Sequence, residues 1–165
     1  MAKLLMITAT SGSNRELADK FAAAAEEMGH DSDVIDLAEV DMPMFTVARS
    51  KSLDVVPGMA ELKAKMQGAD SWVVIAPEYN GSMPPTLNNT LAWLSTDWQD
   101  FRALFNRRKV GLATHSGGGG SHVIMAMRQQ FAYLGSIVIG RNLVSNKDKE
   151  ANPETIEDMI QQLAE

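Results

Sequence analysis

The chain has no cysteine. Disulfides, thiolate-held iron–sulfur clusters, zinc ribbons and cysteine nucleophiles are excluded together. The same lack leaves the redox compartment unread. Long apolar runs are missing too: no stretch approaches the roughly 20 residues of a membrane-spanning helix, so no membrane partner is expected. The opening Met-Ala-Lys-Leu-Leu-Met-Ile runs straight into a polar loop with no cleavage-like site. No secretory leader is therefore expected, and the expected location is cytoplasmic. Positive charge is not in excess: 15 Lys and Arg against 21 Asp and Glu give a net charge of −6. No basic stripe is present to displace counterions, which argues against a nucleic-acid partner. The short cluster Arg107-Arg108-Lys109 reads as solvated loop ahead of a strand. Familiar nucleotide fingerprints are lacking as well. There is no Gly-Lys-Ser or Gly-Lys-Thr for a P-loop, and only Gly12 stands where a dinucleotide turn needs GxGxxG. A receiver domain would want an acidic pair near the end of the first strand, and none is there.

What is there is an ordinary globular composition. The chain has 165 residues, 45% hydrophobic and 22% charged, which suits one domain over residues 1–165 around one core. The 11 methionines read as core filling rather than as a metal box. Short apolar runs alternate with amphipathic stretches. Strands are expected at 3–8, 33–37, 71–76, 110–114 and 136–139. Helices are expected at 13–28, 57–68, 84–95 and 121–134, with a last one capped by Asn152, started by Pro153 and running to the end. Inward positions are Leu17, Phe21, Ala24, Ala25 and Met28 on the first helix, and Met59, Leu62 and Met66 on the second. They are Ile124, Met127, Phe131 and Leu134 on the fourth, and Ile156, Met159, Ile160 and Leu163 on the last. Residues 38–56 read as irregular. Apolar strands separated by helices require a parallel sheet covered on both faces, and five of them suit a doubly wound α/β sheet of order 2-1-3-4-5.

Ligands of such sheets bind beyond the carboxyl ends of the strands, where the strand order reverses. That points to the loops after strands one, three and four. Loop one, Thr8-Ala9-Thr10-Ser11-Gly12-Ser13-Asn14, is rich in hydroxyls just before a helix, where unpaired N–H groups favour phosphate. Ser13 with Glu16 also fits a capping box, and both readings can hold. Loop three, Pro77-Glu78-Tyr79-Asn80-Gly81-Ser82-Met83-Pro84-Pro85, carries an Asn-Gly turn that either lets backbone face a flat ligand or simply leads into a proline-started helix. Loop four places Gly117 to Gly120 between a strand and a helix. Their ordering is entropically costly and is easiest to explain by bare backbone approaching a ligand, the alternative being a surface loop. His115 has no triad partner nearby and takes no catalytic role. His30 and His122 read as helix-boundary surface residues, and Asp36 as a solvated strand end.

Pro77-Glu78-Tyr79-Asn80-Gly81-Ser82, then Pro84, then Leu87-Asn88-Asn89-Thr90-Leu91-Ala92-Trp93-Leu94-Ser95, strongly resemble the signature of the NAD(P)H-dependent FMN reductases, flavodoxin-like flavoproteins that include quinone, azo and chromate reductases. The chain departs from that signature at Pro85, Asn88, Thr90 and Ala92, on a helix that helps build the family's dimer interface. The resemblance implies FMN as cofactor and NAD(P)H as co-substrate. Thr10, Ser11, Ser13 and Asn14 would take the phosphate, with Arg15 close by. Pro77, Glu78, Tyr79, Asn80 and Gly81 would meet the isoalloxazine edge, and His115, Ser116, Gly117 and Gly118 the pyrimidine side. It further implies hydride transfer from NAD(P)H to the flavin, then ping-pong reduction of a small acceptor such as a quinone, an azo or nitro compound, or an oxidised metal ion. No metal ligand and no acid–base dyad is called for. Two other classes stay open: a flavodoxin-type electron carrier that holds FMN without NAD(P)H turnover, and a non-catalytic α/β interaction module. Trp93 and Trp98, with Leu91, Leu94 and Phe101, suggest a homodimer or homotetramer, the alternative being that they fill the core.

Overall fold

The computed structural model describes residues 1–165. Five strands form one parallel sheet: β1 (Lys3–Thr8), β2 (Asp31–Asp36), β3 (Ser71–Ile75), β4 (Lys109–His115) and β5 (Ile137–Ser145). The spatial order is β2-β1-β3-β4-β5, the expected doubly wound arrangement. Seven helices connect and cover the sheet: α1 (Ser13–Glu27), α2 (Leu37–Val40), α3 (Val47–Ser52), α4 (Met59–Gly68), α5 (Pro85–Leu94), α6 (Ser121–Tyr133) and α7 (Pro153–Ala164). None of them is long and apolar enough to cross a membrane.

Strand side chains alternate between the two faces, so each central strand serves two apolar layers. From β3, Trp72 and Val74 join one layer, while Val73 and Ile75 join the other. From β1, Leu5 and Ile7 go one way and Leu4 and Met6 the other. The larger layer lies under α4, α5 and α6 and holds Leu62, Met66, Leu87, Trp93, Ile124, Met127, Phe131 and Leu134. The smaller lies under α1 and α7 and holds Leu17, Phe21, Ala25, Ile156, Met159, Ile160 and Leu163. Met28 is the exception among the expected inward residues, being exposed at the end of α1. Asn152 does cap α7: its side chain accepts from the N–H of Glu154 at 2.9 Å.

Several expectations need correction. Residues 38–56 are not wholly irregular, because Asp36 caps α2 and Thr46 caps α3 through their side chains. Helix α4 starts at Met59 rather than at Pro57, because Gly58 takes the N-cap at φ 71°. A Cβ there would lie 2.4 Å from Val40 Cγ1, so a side chain at this positive-φ position would be strained and would have to displace Val40. Strand β5 continues well past 139, to Ser145. Its register against β4 slips between Val110 and Leu112, and its outer half, with Gly140, Arg141 and Asn142, does not read as apolar. Strand alternation turns Gly111 toward α7, where an added Cβ would come within 3.1 Å of Leu163 and Met159. The Arg107-Arg108-Lys109 cluster is only partly solvated. Arg108 is half-buried, its guanidinium donates to the carbonyls of Ala69 and Asp70, and it lies 5.1 Å over the Trp72 ring. Desolvation lowers its pKa below the ordinary arginine value.

Candidate functional site

Parallel pairing brings the carboxyl ends of all five strands to one rim. Thr8 pairs with Asp36 and with Ile75, Ile75 with Ala113, and His115 with Ser145. The ladder runs on into the loops, with Ala9 N–H donating to Ile75 C=O, Ala76 N–H to Ala113 C=O, and Ser116 N–H to Ser145 C=O. Loops one, three and four therefore leave the sheet side by side. Ser11, Gly12, Ser13, Tyr79, Asn80, Gly81 and Gly117 to Gly119 are exposed there, so the rim is an open face rather than an enclosed cavity. Clefts occur elsewhere too. One of about 330 Å³ opens beside β2, bordered by Arg15, Asp36, Glu39, Glu61 and Lys65.

In loop one the capping-box reading does not hold. Gly12 occupies the N-cap at φ 71° and ψ −137°, Ser13 is already the first helical residue, and no side chain caps the helix. The first intrahelical bond runs from Glu16 N–H to Gly12 C=O, which leaves the N–H groups of Ser13, Asn14 and Arg15 pointing outward without helical partners. The Ser13 side chain is exposed beside them. Ser11 Oγ donates to Asp36 Oδ2 at 2.7 Å, while Asp36 Oδ1 accepts from Ala38 N–H at 2.9 Å. Asp36 is thus buried and fully engaged, not a solvated strand end. Asn14 is buried and bonds His115 on both sides: its Nδ2 donates to the His115 carbonyl and its Oδ1 accepts from the His115 N–H, each at 2.9 Å. Arg15 turns along the helix to Asp19 at 2.9 Å, and that hydrogen bond raises its pKa above the ordinary value.

In loop three, Asn80 (φ 51°) and Gly81 (φ 72°) both take left-handed backbone. Tyr79 and Ser82 exchange two backbone bonds around them, which is a two-residue hairpin turn of type I′. Thr86 Oγ1 donates to the Ala9 carbonyl at 2.7 Å and joins the start of α5 to loop one. The Glu78 N–H donates to Ser116 Oγ at 2.8 Å, and Ser116 Oγ pairs with Thr114 Oγ1 at 2.7 Å. In loop four, a Cβ on Gly117, Gly118 or Gly119 would meet nothing within 4 Å. His115 turns its ring to Ser145, Nδ1 to Oγ at 3.1 Å, and Ser145 Oγ lies 3.2 Å from the Thr114 carbonyl. Ser145 Oγ thus bridges the His115 ring and the Thr114 carbonyl.

A model of the NADPH-dependent FMN reductase family matches residues 2–150. The chain belongs to this family. The probable NADPH:quinone oxidoreductase 2 of Oryza sativa subsp. japonica is 30% identical over 142 residues, which is 80% of this chain and 66% of the rice protein. The flavoenzyme FerB of Paracoccus denitrificans, an NAD(P)H:(acceptor) oxidoreductase, superposes with a TM-score of 0.79 at 13% identity, covering 99% of this chain and 96% of that one. An oxidoreductase of Corynebacterium diphtheriae superposes with a TM-score of 0.77 at 20% identity, covering 99% and 95%. At those identities the two structures speak for the fold alone. Family membership makes the chain an NAD(P)H-dependent oxidoreductase with FMN as its cofactor.

The rim has the chemistry an FMN reductase needs. A phosphate dianion wants outward N–H groups at a helix start, and α1 offers them with no side chain in the way. A flat ring wants backbone without Cβ atoms, and Gly81 and Gly117 to Gly119 leave that space open. Two positions of the signature quoted above, Asn89 and Trp93, hold the segment that follows α2. Asn89 Nδ2 donates to the carbonyls of Met42 and Pro43, and its Oδ1 accepts from Phe45 N–H at 2.7 Å. Trp93 Nε1 donates to the Pro43 carbonyl at 2.6 Å, and its ring meets Phe45 edge-on. Together they pin residues 42–45 to α5. Sequence reasoning missed this task, because partners more than 40 residues away carry no local signal. Trp93, Leu91 and Leu94 fill the core rather than an interface, and Trp98 alone of that group stands largely exposed.

Proposed function

We propose that the chain transfers reducing equivalents from NAD(P)H to a small acceptor, such as a quinone, an azo or nitro compound, or an oxidised metal ion, in a ping-pong cycle. Residues 1–165 act as one FMN-binding unit. The N–H groups at the start of α1, with Thr10 and Ser13, would hold the phosphate. Backbone of residues 77–81 and 115–118 would border the ring. When bound, FMN supplies the hydride chemistry between the two substrates. The protein's own contribution is position. Asn14 fixes loop four to loop one, Thr86 fixes α5 to loop one, and Glu78 fixes loop three to loop four. The exposed Tyr79 ring stands at the edge of the open face, where both substrates would enter in turn. A cytoplasmic homodimer or homotetramer, joined in part through the exposed Trp98, completes the reading. The observation that supports it most is the meeting of an uncapped helix start, an Asn-Gly turn and a bare glycine run on one rim.

The test is an anaerobic half-reaction. Purified protein loaded with FMN is mixed with NADPH, and then, from a second syringe, with a quinone. The expected result is bleaching of the visible flavin absorption band before the quinone arrives, and its return afterwards. A band that NADPH and NADH both leave intact would favour the electron carrier.

A further inference from the structure

The chemistry above gives the Glu78 carboxylate nothing to do, yet its geometry is the most specific on the rim. Oε2 accepts from the N–H of His122 at 3.0 Å and from the N–H of Val123 at 3.2 Å. These belong to the first turn of α6, whose N-cap is Gly120 and which no side chain of its own caps. A carboxylate at that place replaces the missing cap and is favoured by the helix dipole. Position 120 cannot supply a cap itself. Its φ is +66°, and a Cβ there would lie 2.8 Å from Thr114 Cγ2. The cap has to come from another segment, and it comes from loop three.

Glu78 thereby holds the glycine run at both ends. Its N–H fixes Ser116 just before Gly117, and its carboxylate fixes residues 122 and 123 just after Gly120. A floppy run clamped at both ends loses most of its freedom before any ligand arrives. We propose that Glu78 is a positioning residue, which sets the spacing between the two backbone strips that border the flavin ring. This rests on the FMN reading given above. It assigns the side chain to the protein's own helix, not to the ring.

Titration of the apoprotein with FMN and with riboflavin, followed by flavin fluorescence, tests it in the wild type, E78A and E78Q. Amide hydrogen exchange of the flavin-free proteins is read in parallel. Glu78 acts at the ring end, so E78A should weaken FMN and riboflavin by the same factor, about tenfold or more. E78Q should recover most of the loss, because one amide oxygen can accept both N–H bonds that Oε2 accepts. The amides of His122 and Val123 should exchange faster in E78A without any flavin. If E78A does not fold, E78D takes its place, with a shorter reach and an intermediate loss. Equal binding by E78A and the wild type, loss confined to FMN, or an E78Q as weak as E78A would overturn the assignment. A wild type that binds neither flavin overturns the FMN reading itself, and this inference with it.

Discussion

N14A should lower the unfolding free energy by about 3 kcal/mol and raise the Kd for FMN by about tenfold or more. The side chain is buried and makes a reciprocal pair with the backbone of His115, 101 residues away. Alanine would leave that N–H and that carbonyl without their protein partners at a part-buried junction. Each such orphan costs about 1–3 kcal/mol, which is more than the net value of a hydrogen bond that both partners surrender. In a chain of this size the midpoint of thermal unfolding should fall by roughly 10 °C. The effect on FMN has a separate cause: Asn14 sits in the turn that would hold the phosphate, and His115 opens the loop that would hold the ring. Without the pair the two halves of the site move independently. N14D would keep the acceptor, lose the donor and add a negative charge beside the phosphate. It should therefore bind FMN more weakly than N14A. Chemical denaturation and a flavin titration of both variants check this. An N14D that binds FMN better than N14A would place the phosphate elsewhere.

The second large effect is expected from two glycines in the same loop, with opposite outcomes. G118V should leave the stability of the flavin-free protein within about 0.5 kcal/mol of the wild type, since an added Cβ there meets nothing within 4 Å and the position is exposed. Its backbone is not left-handed, so a β-branched residue is tolerated. The valine would fill the space where the ring is proposed to lie, and FMN affinity should fall by about a hundredfold, which corresponds to about 2.7 kcal/mol. G120A is the converse. Its φ of +66° and its 2.8 Å approach to Thr114 Cγ2 should destabilise the flavin-free protein by about 1–3 kcal/mol. A G118V that binds FMN as the wild type does would show that this stretch of the run is only a surface loop.

The sheet is legible in the sequence because its central strands are apolar on both faces. Such short runs, each followed by an amphipathic stretch, can bury both faces only between two layers of helix. KLLMIT and SWVVI become strands on that ground, although periodicity alone would leave them ambiguous. Where an element depends on something other than burial, the signal weakens. Strand β5 lies at the sheet edge, so its outer half tolerates Arg141 and Asn142, and only its first residues look like a strand. Helices α2 and α3 are too short for any period to show, and both rest on capping side chains. Ser13 and Glu16 have the spacing of a capping box, but Gly12, in a positive-φ conformation open to glycine, moves the cap one residue back.

The site shows the same division. Loop composition indicates where a ligand would lie, because hydroxyls and glycines in strand-to-helix turns have a direct physical meaning. It does not indicate what each side chain does. Asp36 reads as solvated because acids at strand ends usually are, but Ser11 and Ala38 supply the bonds that let it be buried. The family resemblance directs Glu78 to the ligand edge, whereas its carboxylate reaches residues 122 and 123. Asn89 and Trp93 belong to the family signature, yet only the fold reveals that they hold residues 42–45. Apart from the local bond between Asp36 and Ala38, these are long-range satisfactions of polar groups, and nothing within a few residues announces the distant partner.

The central claim is that three turns on one rim of the sheet together grip FMN. The structure of the FMN complex tests it most directly. The account predicts phosphate on the N–H groups at the start of α1, with the ring between residues 77–81 and 115–118. Flavin seated instead in the 330 Å³ cleft beside β2, against Glu39, Glu61 and Lys65, would contradict it.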